Sequence, residues 1–333
     1  MPIYRCNQCG HVSESPTAGT QVPCAKCQTP CSVFDTVFYV GKLIERYTTA
    51  MREIKALQAS DKPESALPPP VATPAPTSIP TSPAPAGAVA QPLNTAAQHA
   101  PIEHWLASMQ IEAQFDHSSV DTSGYFDEAA LALGQRHDLF GELIQRVAYA
   151  YRKDHTGLNI NLSEVAQKDV QAIQALCRQL YSHTLFARYH YQKNEKVVQL
   201  GLQSAPKVRQ FFTGAWLEWF ALMKGIAALQ HHRTAFSCAR GVRVLFPNED
   251  VHELDVVLLP AGRAPICIEC KAGEFRRDIH KYERLRKRLG VEPTRFLICS
   301  TDISDEQAVG LSAMYDLTFV SVAALPRHLS SLI

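Results

Sequence analysis

Apolar residues are spread unevenly along the chain, and their spacing divides it into segments. Between Asp35 and Leu57 the residues Val37, Phe38, Val40, Leu43, Ile44, Tyr47, Met51, Ile54 and Leu57 recur at helical spacing, which predicts an amphipathic helix over 35–58. An isolated helix does not hold such a stripe in water. It needs cover from the N-terminal module, from a later domain, or from a second copy of the chain in a homodimer. Residues 59–100 are then Pro, Ala, Ser and Thr with almost no large apolar group, the composition of a flexible, semi-extended linker.

Helical periodicity returns at 126–133, 138–153 and 163–182, and residues 185–191 and 195–200 alternate as strands about the turn Gln192-Lys193-Asn194. With a short strand at 158–162, the order helix, strand, two helices, hairpin would make segment 101–203 a winged helix. A helical bundle with a hairpin accounts for the same pattern. In the first case Lys168, Gln171, Gln174 and Arg178 would face a DNA groove; in the second they are a solvated face. Residues 211–223 are apolar on nearly every side, which predicts a buried helix, and Glu218 is its only charge. Two short apolar strands follow at 253–259 and 266–271, joined by a turn-forming Pro260–Pro265 connector, so they are expected as an antiparallel hairpin. A basic helical stretch from Arg276 to Arg288 and a strand at 295–300 complete a segment 204–333 that reads as α/β, a mixed sheet flanked by helices.

The two strands carry charges where a core would be apolar. Residues two apart on a strand share a face about 6.6 Å apart, so Glu253 and Asp255 point one way, Leu254, Val256 and Leu258 the other, and Glu269 points with Lys271. A hairpin in the right register brings Asp255 beside Glu269 and Lys271. A slip of one residue would send it to the wrong side, and a bulge near Pro260 or Pro265 is expected to absorb the odd residue. Together these residues spell D-x13-E-x-K. Two carboxylates suit a hard divalent cation such as Mg or Mn. The cation lowers the pKa of a bound water and polarises a phosphate, while an adjacent ammonium orients the nucleophile or covers developing charge. Glu218, stranded in an apolar helix, is either a third acid at this site or the partner of an arginine such as Arg240 or Arg243. Glu253 reads as support or as a solvated strand start, and His231 and His232 as a solvated helix end. Arg276, Arg277, Lys281, Arg284 and Arg288, with Arg286 and Lys287, are either phosphate contacts or a solvated face.

Helix with Glu, strands with D and E-x-K, helix, strand: this order resembles the core of the PD-(D/E)xK restriction-endonuclease-like superfamily. More narrowly, Gly214-Ala-Trp-Leu-Glu218, Glu253-Leu-Asp255-Val-Val and Ile268-Glu269-Cys-Lys271 resemble the nuclease domain of CRISPR-associated effectors that fuse such a domain to a cyclic-oligonucleotide sensor, over about residues 205–325. The resemblance implies that Asp255 and Glu269 bind metal, that Lys271 is catalytic and that Glu218 is the first-helix acid. It also implies a bacterial defence or DNA-processing setting. The chain departs from the family at its N-terminus, where the Rossmann-like sensor has no counterpart, so cyclic-nucleotide control is not carried over.

At the other end, Cys6-Asn-Gln-Cys9 and Cys24-Ala-Lys-Cys27 have the spacing of two knuckles around one tetrahedral Zn ion, and 1–34 is expected to be a zinc ribbon with Cys31 as a spare thiol. A module this small needs metal to fold. Its few basic residues, Arg5 and Lys26, favour contact with a protein partner or a purely structural role. The remaining cysteines stand singly in apolar stretches, and no signal peptide or membrane span is read, which points to a reducing cytoplasm. A net charge of +1 over 333 residues provides no global attraction to nucleic acid, so binding must come from local patches. The expectation is a Mg- or Mn-dependent nuclease acting on DNA in preference to RNA. The competing reading is a non-catalytic adaptor that uses a nuclease-like scaffold to bind nucleic acid or protein.

Overall fold

The computed structural model describes residues 2–6, 8–9, 11–17, 20–33, 93–246 and 251–333. The expected helix at 35–58 and most of the expected linker lie outside the described residues. The chain forms two compact units, one on each side of residues 84 and 85.

The N-terminal unit is a pair of short antiparallel hairpins. Strands β1 (Ile3–Arg5) and β2 (Val12–Glu14) form one, β3 (Gln21–Pro23) and β4 (Pro30–Ser32) the other. Its buried core is Tyr4, Cys6, Cys24, Cys31 and Val33. So few side chains cannot offset the entropy of ordering the module, so the fold needs a crosslink.

The C-terminal unit opens with helix α1 (Ala96–Ser108), which begins inside the stretch expected as linker. Thr95 accounts for the start, because its side chain accepts from the Gln98 amide as an N-cap. Strand β5 (Glu112–Gln114), helices α2 (Phe126–Gln135) and α3 (His137–Arg152), β6 (Gly157–Asn161), α4 (Gln167–Ser182), β7 (Phe186–Gln192) and β8 (Val197–Leu202) follow. A single helix stands between β6 and the β7–β8 hairpin. The two-helix order expected of a winged helix is therefore not present, although β6 does pair with β8 to give a small sheet β6-β8-β7.

A helical lead-in at Pro206–Gln210 precedes α5 (Trp216–His231), after which come β9 (Phe236–Leu245), β10 (Val251–Pro260), β11 (Ile266–Lys271), α6 (Ile279–Arg288), β12 (Phe296–Ser300), α7 (Asp305–Met314), β13 (Thr318–Ser321) and α8 (Leu325–Leu332). The large sheet runs β13-β12-β11-β10-β9-β5, antiparallel from β5 to β11 and parallel from β11 to β13. Helices cover both faces. On one, α2 to α5 and α8 pack against Val256, Leu258, Ile266 and Ile268; on the other, α1 and α6 pack against Val257, Cys267, Phe296 and Ile298.

The expected boundary at residues 203 and 204 is not a break in this core. Strand β5 belongs to the large sheet, and residues of α2, α3 and α4 share one apolar cluster with α5. The approach of α5 to the sheet is close enough that a Cβ on Gly225 would stand 2.3 Å from a Leu258 methyl. Among the described residues no helix is long and apolar enough to cross a membrane.

Candidate active site

Register places the acids. Val256 pairs with Ile268 and Val257 with Cys267 without a shift, so Asp255 falls opposite Glu269. No bulge interrupts this pairing, and the odd residue is taken up within the connection between Leu258 and Ile266. The expected facing of Leu254 is corrected, however. It packs with α1 and α6, whereas Val256 and Leu258 pack with α5. The alternation changes phase at Asp255, opposite Gly241, whose φ of +65° is a left-handed conformation that glycine adopts without a steric penalty. Asp255 thus sits at a local distortion of the pleat, where β10 turns its acid toward the end of β11.

There the Asp255 Oδ2 accepts from the Cys270 amide at 2.7 Å and from Lys271 Nζ at 3.2 Å, and the same ammonium donates to Glu269 Oε2 at 3.1 Å. Lys271 also lies over the Tyr282 ring of α6, 5.0 Å from its centroid. Glu269 is only 3% exposed. Burial, and then the nearby charge of Asp255, push its carboxyl up to about 8 although Lys271 pulls the other way. Burial opposes the charge on Lys271 too, but Glu269 and Asp255 outweigh it and raise the ammonium well above its usual range.

Glu218 is held differently. Its Oε2 accepts from Arg240 Nη1 at 2.7 Å, the Arg240 Nε donates to the Ser119 carbonyl at 2.8 Å, and the guanidinium stacks 4.6 Å from the Trp219 ring centre. Burial and the Asp255 charge bring the Glu218 carboxyl up to about 7 against the pull of Arg240. The structure therefore joins Asp255, Glu269 and Lys271 directly and turns Glu218 toward Arg240, the arginine alternative of the two read from sequence. Glu218, Arg240, Gly241, Arg243 and Glu253 border a cleft of about 530 Å³.

Of the basic helix, Arg277, Lys281 and Arg284 are exposed, Arg276 pairs with Glu274 at 3.3 Å, and Arg288 lies 4.2 Å from the Phe246 ring centre. Arg286 is structural, bonded to the Val291 carbonyl and to Asp316. His231 and His232 are exposed at the end of α5. Tyr282 escaped the sequence reading. Its signal was there, because Ile279, Tyr282, Leu285 and Leu289 form an apolar stripe through the basic stretch.

In the N-terminal unit the sulfurs of Cys6, Cys9, Cys24 and Cys27 all lie within 4.8 Å of one another. Among the described residues this is the one group of three or more ligating side chains so gathered; Glu218, Asp255 and Glu269 do not form another. Cys6 and Cys27 are 3.4 Å apart and Cys9 and Cys24 3.6 Å, near the roughly 3.8 Å edge of a tetrahedron with Zn–S bonds of about 2.3 Å. The backbone N–H of Cys9 foremost, with the Cys27 side chain assisting, lowers the Cys6 thiol to about 6, whereas at Cys9 the pull of the His11 backbone N–H is outweighed by burial and the neighbouring thiols, which raise it to about 12. Cys31 stands outside the group, donating to the Thr29 carbonyl, and burial raises its thiol to about 11.

No protein-family model and no curated protein sequence matches the chain. Among solved structures, protein VC1899 from Vibrio cholerae is similar with 19% identity and a TM-score of 0.48, the match covering 69% of this chain and 59% of that one. Can2 from Sulfobacillus thermosulfidooxidans, in complex with cyclic tetra-adenylate, is similar with 13% identity and a TM-score of 0.49, over 69% of this chain and 60% of Can2. The chain thus spans less than two thirds of either protein.

Proposed function

We propose that the protein is a metal-dependent nuclease of the PD-(D/E)xK type that hydrolyses phosphodiester bonds, with Asp255 and Glu269 as metal ligands and Lys271 as the catalytic ammonium. The observation that carries this reading is Lys271 Nζ held between Asp255 and Glu269 on adjacent strands. The donor set fits a hard cation. Both acids offer oxygen, and the burial and, after it, the Asp255 charge that raise the Glu269 carboxyl both oppose a bare carboxylate there, which a divalent charge would offset.

A bound Mg or Mn ion would supply a water of lowered pKa and a Lewis acid for the phosphate. The chain's own residues do the rest. Asp255 and Glu269 fix the direction from which a phosphate must approach, and the Cys270 amide keeps the Asp255 carboxylate from rotating. Lys271, steadied by Tyr282, holds a positive charge where the pentacoordinate phosphorus would become more negative. Arg240 orients Glu218 at the border of the same region. The exposed Arg277, Lys281 and Arg284 are assigned to phosphate contacts flanking the cut, and the four cysteines to one structural zinc ion.

The test is incubation with plasmid, linear DNA and single-stranded RNA in Mg²⁺ or Mn²⁺, beside Asp255→Ala and Lys271→Ala. Cutting by the parent chain that falls at least about a hundredfold in both variants is expected. Cutting that persists in both variants, or is absent from the parent under every condition, leaves the non-catalytic adaptor as the better account.

A further inference from the structure

The small sheet β6-β8-β7 has one face in the core and one in solvent. Ile160, Val198 and Leu200 turn inward with Tyr189 and Tyr191. The register Asn159 to Gln199 to His190, and Gly157 to Gly201 to Arg188, sets the alternate residues side by side on the outer face. A solvated sheet face ordinarily carries β-branched residues and cross-strand charge pairs. This one carries a single β-branched residue, Val197, among amides, Asn159, Asn161, Gln192 and Gln199, together with Arg188 and His190. The Gln199 Nε2 donates to the Gln192 Oε1 at 3.2 Å, so at least two of these amides are already oriented.

Where the β6–β8 pairing ends, two glycines face each other. Local crowding explains why they are glycines, since a Cβ on Gly201 would lie 2.9 Å from the Arg188 Cβ and one on Gly157 2.6 Å from the Leu200 carbonyl. The consequence is a depression of about 560 Å³ floored by bare backbone and bordered by Asn159, Arg188 and Gln199. A glycine in a strand commonly marks a place where another molecule can come close. Charge gives the sign of the ligand. Arg188 has no ion-pair partner among the described residues, and on the β7–β8 turn at the opposite end of the same face Lys193 and Lys196 outnumber Glu195.

We propose that this face binds single-stranded nucleic acid, with phosphates on Arg188 and the turn lysines and one nucleotide seated over Gly157 and Gly201. Its base edge is hydrogen-bonded by Asn159 and Gln199. An amide presents a donor and an acceptor side by side, which matches the edge of a base, and a duplex keeps those edges paired. The site lies on strands other than those bearing Asp255 and Glu269 and needs no catalysis there.

The test uses the full chain carrying Asp255→Ala, in buffer without divalent ions. Fluorescence anisotropy is read with labelled RNA and DNA strands of about a dozen nucleotides, and with the matching duplex. Binding of at least one single strand more tightly than the duplex is expected, and RNA against DNA tells whether the sugar is read. Arg188→Glu should weaken binding about tenfold and lower the salt slope by about 1, while Gln199→Leu weakens it with the salt slope unchanged. Arg327→Glu, the same reversal on an exposed arginine of α8, should change little; thermal melts confirm folding, and Arg188→Ala replaces any variant that melts early. No binding of either strand, tighter binding of the duplex, or equal loss in Arg188→Glu and Arg327→Glu overturns the proposal. A chain that binds in this way yet cuts nothing keeps the site and loses the nuclease reading; a chain that cuts but binds independently of Arg188 does the reverse.

Discussion

Glu269→Gln should stabilise the metal-free protein, and by more as the pH rises. The folded state holds the Glu269 proton to about pH 8, against 4.5 for an ordinary glutamate, so between those values the folded chain binds more protons than the unfolded one. Stability therefore falls as the pH climbs through that window. Keeping this group protonated in the fold while it ionises freely in the unfolded chain costs about 2 kcal/mol by pH 6 and about 4 kcal/mol by pH 8, which glutamine, with nearly the same shape and no charge, does not lose. Urea unfolding followed by tryptophan fluorescence suits the measurement, since Trp105, Trp216 and Trp219 all lie in the C-terminal unit and two of them are buried. Buffers should be freed of divalent ions by resin, not by chelator, so that the cysteine module is left alone. Added Mg²⁺ or Mn²⁺ narrows the gap: at a hundred times the dissociation constant the parent gains about 2.7 kcal/mol, and Glu269→Gln gains less. A variant no more stable than the parent at pH 8, or a gap that is the same at pH 6 and pH 8, would refute the claim that Glu269 ionises against burial and against Asp255.

Arg240→Met should destabilise the protein by about 2 kcal/mol at pH 8.5, because it leaves the half-buried Glu218 without its partner, and by less at pH 5.5, where Glu218 takes up a proton; denaturant midpoints at the two pH values decide it. Gly225→Ala, which helix propensity alone would make stabilising by about 1 kcal/mol, should instead cost about 1–3 kcal/mol, since the new methyl meets Leu258; the thermal midpoint reports the sign. The purified chain should carry one zinc per molecule by elemental assay, and Cys24→Ala should lose both the zinc and the backbone NMR dispersion of residues 2–33. The tryptophan-monitored unfolding of the C-terminal unit should stay where it was.

Much of the candidate site was legible before the fold was known, and for a local reason. Strand alternation puts Glu269 and Lys271 on one face whatever else the chain does, and a short connector between two apolar strands leaves few registers. The cysteine spacing is equally local, because a knuckle is a turn. Strand β9 was not legible. Its run Phe-Ser-Cys-Ala-Arg-Gly-Val-Arg-Val-Leu breaks alternation at Arg240-Gly241, and the break is where the pleat changes phase beside Asp255. Nor did periodicity show that β5 would join the large sheet, or that α2 to α4 would share a core with α5.

By itself, then, the sequence determined the α/β class, the strand pair that bears the acids, and four thiols spaced for one metal ion, each set by interactions a few residues long. Only the tertiary structure decided that Glu218 turns to Arg240, that Tyr282 steadies Lys271, and that a glycine-floored amide face lies open on the small sheet. Those outcomes depend on contacts between residues far apart in the chain, and they are settled by burial. A carboxylate removed from water takes the nearest cation the packing offers, and which cation is near is a property of the folded core.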